Sequence, residues 1–268
     1  MKYLIKDLSK MTGIKGFTIR KWQERYSIFD PKLASNGYWY YTNEDYIVLT
    51  RIVNFLNRGE RISSIVSRGR DYLLSYKNSE GYSNIEKKII YHIIKNEYEE
   101  ISHYLDEELE RNTHKNFIRY QLRNIMILVG RAWNDGLVSV ADEHSFSRWM
   151  EGYIYNISNK FGTTENPVWL VTSFPGDNHE LGALMYYSLL RSRNIPAKFV
   201  GTLPLEHIIK ELNNSDYKAI SLSLALAQPI AKIEKVKSKI LRKTNIKKVF
   251  FGGRGYNIVR ESIKKERV

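Results

Sequence analysis

Apolar positions fall into three regimes along the 268 residues. In the first, Ile5, Leu8 and Met11 sit at helical spacing, Thr12-Gly13 breaks the pattern, and Phe17 to Tyr26 resumes it with Ile19 and Trp22 on one side. Thr18, Arg20, Lys21 and Arg25 are left to face outward in part. Two short helices joined by a tight glycine turn predict a helix-turn-helix. Ser35-Asn36-Gly37, followed by Tyr38-Trp39-Tyr40-Tyr41, predicts a hairpin, the wing, with glycine supplying the positive φ of the turn. Thr42-Asn43-Glu44-Asp45 then reads as a helix start, with Thr or Asn as cap and acidic residues near the positive helix end. That helix points Ile47, Leu49, Ile52, Val53 and Leu56 inward. Residues of about 83–162 form the second regime, helical with few breakers. Ile85, Ile89, Ile90, Ile93 and Ile94 make one series, and Phe117, Tyr120, Leu122, Ile125, Met126 and Leu128 another, which predicts a four-helix bundle. From Pro167 short apolar runs alternate with helical ones: Val168–Thr172, Ala197–Gly201, Ala219–Ser223 and Lys248–Phe251. That alternation predicts a doubly wound parallel sheet of the Rossmann-like, flavodoxin-like kind, whose ligands bind at the carboxyl ends of the strands.

Polar, glycine-bearing stretches at Lys77–Ser83 and Gly162–Pro167 mark the boundaries. The organisation expected is a winged helix-turn-helix over 1–72, a linker over 73–83, a helical bundle over 84–162 and the α/β domain over 166–268. The chain is thus multidomain, part α and part α/β.

Charge sharpens this picture. The formal net charge is +13, and residues 1–70 hold thirteen Lys and Arg against six Asp and Glu, a surplus of seven in about a quarter of the length. Such a surplus on a helix-turn-helix suits phosphate neutralisation on double-stranded DNA, with the second helix in a major groove. The candidate DNA contacts are Lys15, Thr18, Arg20, Lys21, Arg25, Tyr38 and Tyr40. A basic helical domain that binds another protein is the alternative. There is no cysteine, which excludes disulfides, thiolate zinc sites and cysteine nucleophiles. The N-terminus lacks the pattern of a signal peptide, and no apolar run is long enough to span a bilayer. A soluble, cytoplasmic protein without a membrane partner is expected.

Two constellations carry candidate chemistry. In the loop after the first strand stands Asp177-Asn178-His179-Glu180-Leu181-Gly182. A neutral imidazole is a good transition-metal ligand, and a carboxylate on its other ring nitrogen fixes the tautomer and raises its basicity. Gly182 permits close approach of backbone or a bulky ligand. A loop histidine taken singly is more often a surface residue. Ser223 and Gly252-Gly253 fall at the ends of later strands. The second constellation is Trp133, the turn Asn134-Asp135-Gly136, and Glu143-His144 in the first turn of the next helix, which Ser139 and Asp142 start as a capping box. Without context it is a bundle tryptophan and a charged helix start.

Ile5-Lys6-Asp7-Leu8-Ser9-Lys10-Met11-Thr12-Gly13-Ile14, with Thr18–Tyr26 and Tyr40-Tyr41-Thr42-Asn43-Glu44-Asp45, resembles the winged helix-turn-helix of MerR-family regulators. Trp39 departs from it, standing where that family usually has a phosphate-contacting Arg. Asp177-x-His179-x-x-Gly182, Ser223 and Gly252-Gly253 resemble the cobalamin-binding domain of methionine synthases and coenzyme B12 mutases. That resemblance implies His179 as the lower cobalt ligand and Asp177 as its orienting partner. Ser223, or alternatively Ser221, would line the slot for the displaced nucleotide tail together with Gly252 and Gly253. Trp133, nine residues, Glu143-His144 is similar to the motif of light-responsive, cobalamin-dependent MerR-type repressors of the CarH/LitR kind, in which Trp packs on the upper adenosyl group and Glu hydrogen-bonds to it. Asn134 departs from those members, which follow this Trp with a His able to capture cobalt. An amide is a poor cobalt ligand beside imidazole, and His144 is the possible substitute.

The implied protein is not an enzyme. It is a repressor that binds operator DNA as a homo-oligomer, dimer or tetramer, under control of adenosylcobalamin, with methylcobalamin the alternative form. Two rivals stay open. One is a regulator that keeps the fold without the cofactor. The other is a corrinoid methyl-transfer or mutase module, against which the N-terminal domain argues.

Overall fold

A computed structural model describes residues 2–35, 37–162 and 165–265. Asn36 of the expected hairpin turn and Thr163-Thr164 of the second boundary lie outside the described residues. The chain forms two compact units. The first comprises 1–97 and 125–143, the second 98–124 and 144–268. The helices of 84–162 are therefore shared between the units.

In the first unit, α1 (Ile5–Thr12) ends on Gly13, whose φ of 75° is the left-handed conformation glycine adopts most easily. Helix α2 (Gly16–Tyr26) follows, then β1 (Lys32–Leu33) and β2 (Trp39–Tyr40), paired antiparallel with Leu33 opposite Trp39. Helix α3 (Asn43–Asn57) starts on a capping box. The Thr42 hydroxyl accepts from the Asp45 amide at 3.2 Å, and the Asp45 carboxylate accepts from the Thr42 amide at 2.8 Å. Asp45 is fully buried and also accepts from the Asp30 amide and from Arg70, both at 2.8 Å. The cap thus holds the loop before β1 and, through Arg70, helix α5 (Arg70–Ser75), which follows the short α4 (Ile62–Val66). The deep face of α3 is Val48, Leu49, Ile52 and Phe55, while Ile47, Val53 and Leu56 lie at its margins. The expected inward face is therefore rotated, because the buried Asp45 cap sets the origin of the i, i+3, i+4, i+7 stripe.

Residues 76–83, though polar, are held in place. The Tyr76 ring meets Phe55 edge-on at 4.8 Å, and Tyr82 is buried. Helix α6 (Asn84–Lys95) buries Ile89, Ile90 and Ile93 but exposes Ile85 and Ile94. It belongs to this unit with most of α9 (Arg123–Asn134), and Arg131 of α9 reaches Glu86 at 2.7 Å.

The second unit holds α7 (Tyr98–Arg111), the one-turn α8 (His114–Asn116), a π-helical stretch Phe117–Leu122 and most of α10 (Val140–Asn159). The π turn shifts the helix register, so Phe117, Ile118 and Leu122 are buried while Tyr120 is exposed. Tyr153 donates to Asp106 at 2.8 Å across α10 and α7. The sheet follows: β3 (Trp169–Ser173), β4 (Ala197–Phe199), β5 (Ala219–Ser223) and β6 (Lys248–Gly252), all parallel, in the order β4-β3-β5-β6. Helices α11 (Leu181–Arg191), α12 (Leu205–Asn213), α13 (Ile230–Lys243) and α14 (Arg254–Lys265) connect and follow the strands. Ile220 and Leu222 point into one core with Ile208, Leu212, Ile233 and Val236. Ser221 and Ser223, alternating with them, face the other side, where Gly182 of α11 approaches Ser223. The strands and the carboxyl-end loops fall where the hydrophobic pattern puts them.

Candidate functional site

In the first unit the charged face of α2 is accessible. Ile19 is fully buried and Trp22 packs against the same core, which turns Lys15, Arg20, Lys21 and Arg25 outward and leaves Thr18 partly covered. The β1–β2 hairpin adds aromatic rings. Tyr38 and Trp39 are 67% and 58% exposed, far more than buried rings would be, and the Lys2 ammonium stands 4.6 Å above the half-buried Tyr40 ring. Basic side chains beside exposed aromatics suit a nucleic-acid surface.

In the second unit the loop Phe174–Glu180 leaves the carboxyl end of β3. Asp177 is 1% exposed and both its oxygens are used. Oδ2 accepts from the amides of Ala225 and Leu226 at 2.8 and 3.1 Å, and Oδ1 accepts from the His179 amide at 3.3 Å and lies 2.7 Å from its Nδ1. Burial pushes the Asp177 carboxyl up, but hydrogen bonds from the His179 ring, Leu226 and the His179 amide outweigh it, and the pKa lies below the ordinary carboxylate value. In the neutral imidazole a charged carboxylate at Nδ1 holds the proton there and leaves the lone pair on Nε2. The His179 side chain is 60% exposed, within reach of a ligand. The Ser173 hydroxyl donates to the His179 carbonyl at 3.1 Å, and Glu180 accepts from the Thr202 amide at 2.7 Å. The imidazole therefore stands on a fixed backbone.

The other predicted residues sort by position. A Cβ at Gly182 would lie 2.9 Å from the Ser223 hydroxyl, so the start of α11 packs closely on the end of β5 there, beside the imidazole loop. Ser221 is buried and accepts from the Trp169 indole at 3.0 Å, so of the two serines it is Ser223 that faces Gly182. Gly252 ends β6 with open space around its Cβ position. Gly253 has φ +92°, and a Cβ there would stand 2.3 Å from the Leu224 carbonyl oxygen. Gly255, outside the residues singled out from sequence, is as tight, 2.3 Å from the Leu226 carbonyl carbon. The pattern Gly252-Gly253-x-Gly255 was the signal for it. The loops after β3, β5 and β6 thus meet at one end of the sheet, joined by Asp177 on one side and by glycines on the other. A cavity of about 440 Å³ lies elsewhere, near the starts of β4 and β5, lined by Pro167, Ala197, Ser215 and Tyr217 among others.

Of the second constellation, Trp133 to Glu143 lie in the first unit. Trp133 is half-buried, and its ring lies 5.5 Å from that of Tyr46 on α3, tilted by 31°. Asn134 accepts from Asn54 of α3 through its carbonyl, at 3.5 Å. Ser139 and Asp142 form a capping box at 3.1 Å in each direction. Glu143 is half-buried, and His144, the first residue of the second unit's portion of α10, is exposed.

Residues 3–67 match the family of MerR HTH regulatory proteins. The N-terminal region is therefore a MerR-family helix-turn-helix domain, and the class these features define is the MerR-type transcriptional regulator. Within it, the chain is 22% identical over 210 residues to the HTH-type transcriptional repressor CarH of Myxococcus xanthus, spanning 74% of this chain and 70% of that protein. Both matches are to transcription regulators. No helix among the described residues is long and apolar enough to cross a membrane.

The donor set can be tested against a corrinoid. Among the described residues no group of three or more His, Cys, Asp or Glu side chains is placed to hold a metal ion. One oriented imidazole suits instead a metal whose remaining positions are filled by its own macrocycle. The imidazole itself is 60% exposed, and the space around the Gly252 Cβ position at the end of β6 is open. The residues fit the group.

Proposed function

We propose that this protein is a cytoplasmic, cobalamin-dependent DNA-binding repressor, in which the state of the cofactor sets oligomerisation and operator affinity. The observation that carries this reading is the Asp177–His179 pair, built at the carboxyl end of a parallel sheet, in a chain whose N-terminus is a MerR domain. His179 would hold cobalt from below through Nε2, while Asp177 keeps the ring in the required tautomer. Gly182, Ser223, Gly252 and Gly253 would leave the slot for the nucleotide tail, with Ser221 behind them bracing Trp169. On resemblance alone, Trp133 and Glu143 would contact the bound cofactor, and His144 would be the possible substitute for the histidine that Asn134 replaces. Adenosylcobalamin supplies a cobalt–carbon bond that light can break. Lys15, Thr18, Arg20, Lys21, Arg25, Tyr38 and Tyr40 would meet DNA. Coupling requires that one assembly state bind the cofactor better than the other.

The test is selection of duplexes from a random library by the full chain, followed by affinity and sedimentation measurements. These are made without cofactor, with adenosylcobalamin in darkness, and after green light. The expected outcome is a selected sequence bound with a steep salt dependence, log K falling by about 0.9 per phosphate neutralised for each decade of salt, and an affinity that changes with the cofactor together with the oligomer. Asn134, lacking imidazole, predicts that no bis-histidine species forms through that position after light. Selective DNA binding that ignores cobalamin would favour the cofactor-free regulator instead.

A further inference from the structure

The turn between α9 and α10 is anchored to the DNA-binding domain more firmly than a bundle loop requires. Asp135 is buried and its carboxylate is gripped from two sides, by Arg58 of the MerR domain at 3.0 Å and by the Tyr82 hydroxyl at 2.8 Å. Its carbonyl accepts from the Asn78 amide at 2.9 Å. Gly136, with φ +76°, is seated so closely that a Cβ would lie 2.1 Å from the Tyr76 carbonyl oxygen and 2.7 Å from the Arg51 guanidinium. Arg51 is itself buried in α3 and caps the end of α5, donating to the carbonyls of Leu73 at 2.8 Å and Tyr76 at 2.5 Å.

From this anchored turn a file of rings runs into the domain. Trp133 meets Tyr46, and the Tyr46 ring lies 5.4 Å from that of Tyr3. Tyr3 pairs with Tyr41 through two backbone hydrogen bonds of 2.9 and 2.8 Å, directly after β2, which carries Trp39 and Tyr40. Rings in contact at these distances resist independent displacement, since packed cores shift between discrete arrangements and do not deform continuously.

We propose that the file Trp133–Tyr46–Tyr3, clamped at its outer end by Asp135 and Gly136, is a mechanical link between the α9–α10 turn and the β1–β2 hairpin, so that a change at Trp133 moves the hairpin and DNA at the hairpin moves Trp133. Tyr46 and Asp135 act as positioning residues. Their role rests on the reading of Trp133 as a cofactor contact only for the identity of the signal. The link itself lies wholly within the first unit and exists without a cofactor.

Linkage is reciprocal, so the link is tested without cobalamin. Hydrogen exchange of the full-length, cofactor-free chain is compared for wild type, Tyr46→Leu and Asp135→Asn. Loss of the link predicts at least tenfold faster exchange in both the α9–α10 turn and the Tyr41–Tyr46 segment for either variant, with far-UV circular dichroism unchanged. Unchanged exchange in the Tyr41–Tyr46 segment of Asp135→Asn overturns the proposal. The second measurement is Trp133 emission, taken as wild type minus Trp133→Phe, while the selected duplex is added. A change on DNA addition that both positioning variants reduce at least threefold supports the link. No change in wild type, or one the variants leave intact, overturns it. Should the chain retain no cobalamin, both measurements still decide the link, and only the cofactor reading fails.

Discussion

Replacing Asp177 by alanine removes the group on which the imidazole site is hung. The carboxylate accepts four hydrogen bonds, two from backbone amides of the loop after β5, one from the His179 amide and one from the His179 ring. Alanine strands the amides of Ala225 and Leu226, and an unsatisfied buried donor costs about 1–3 kcal/mol. Water entering the vacated space recovers part of this, so the expected loss is about 2–4 kcal/mol of stability at pH 7. The pKa of Asp177 is lowered in the fold, so its contribution is complete above the unfolded value near 3.9 and is lost as pH falls through the folded value. Wild type and variant should therefore converge only in acid. The His179 ring also loses its orienting partner, and groups in that position change metal affinity by about 10–100-fold. Guanidinium denaturation followed by circular dichroism reads the first effect, and absorbance titration with adenosylcobalamin the second. A variant within about 0.5 kcal/mol of wild type and within twofold in affinity would refute the reasoning.

Asp45→Ala removes the carboxylate half of the capping box, which accepts from the Thr42 and Asp30 amides, and leaves Arg70 without its buried partner, so the MerR domain should lose about 3–5 kcal/mol in thermal or chemical unfolding. Gly253→Ala places a Cβ against the Leu224 carbonyl at positive φ and should destabilise the second unit by at least about 2 kcal/mol, read by the same denaturation curves. Burial lowers the pKa of His114, which sits 3.0 Å from the Ser188 hydroxyl and edge-on to Phe161. The unfolded chain then binds the proton first, so stability should fall as pH drops below about 6.5, and His114→Gln should flatten that slope. Lys21→Ala, on the exposed face of α2, should weaken DNA binding across sequences and reduce the salt slope by about 1.

Local chemistry was legible in the sequence where one segment determines it. Gly13 ends α1, Thr42 and Asp45 start α3, and Ser139 and Asp142 start α10, because each device is completed within four residues. The strand–loop–helix run around Asp177 was legible for the same reason, and the alternation of β5 sets Ser221 and Ser223 on one face without saying which of them is already engaged. Trp169, 52 residues from Ser221, decides that. Contacts distant in sequence carried no local signal. Nothing in the spacing of Trp133 points to Tyr46, and nothing in Asp135 points to Arg58 or Tyr82, 77 and 53 residues away. The π turn at Phe117–Leu122 exposes Tyr120 against the expected helical stripe, since an i+5 ladder alters which side chains face inward. At Gly255 the spacing Gly252-Gly253-x-Gly255 is visible in the sequence, but the constraint behind it, the approach of Leu226 and Ala227 from another loop, is not.

The central claim is that His179 holds a cobalt cofactor in a DNA-binding regulator. Its most direct test is the absorption spectrum of the purified full chain after incubation with adenosylcobalamin in darkness and removal of free cofactor, for wild type and His179→Ala, before and after green light. A retained spectrum of the base-off, His-on form in wild type, lost in His179→Ala, is the result this account predicts, and a change on illumination would add photosensing to it. A wild-type protein that retains no cobalamin, or a His179→Ala variant with the same spectrum as wild type, would contradict it.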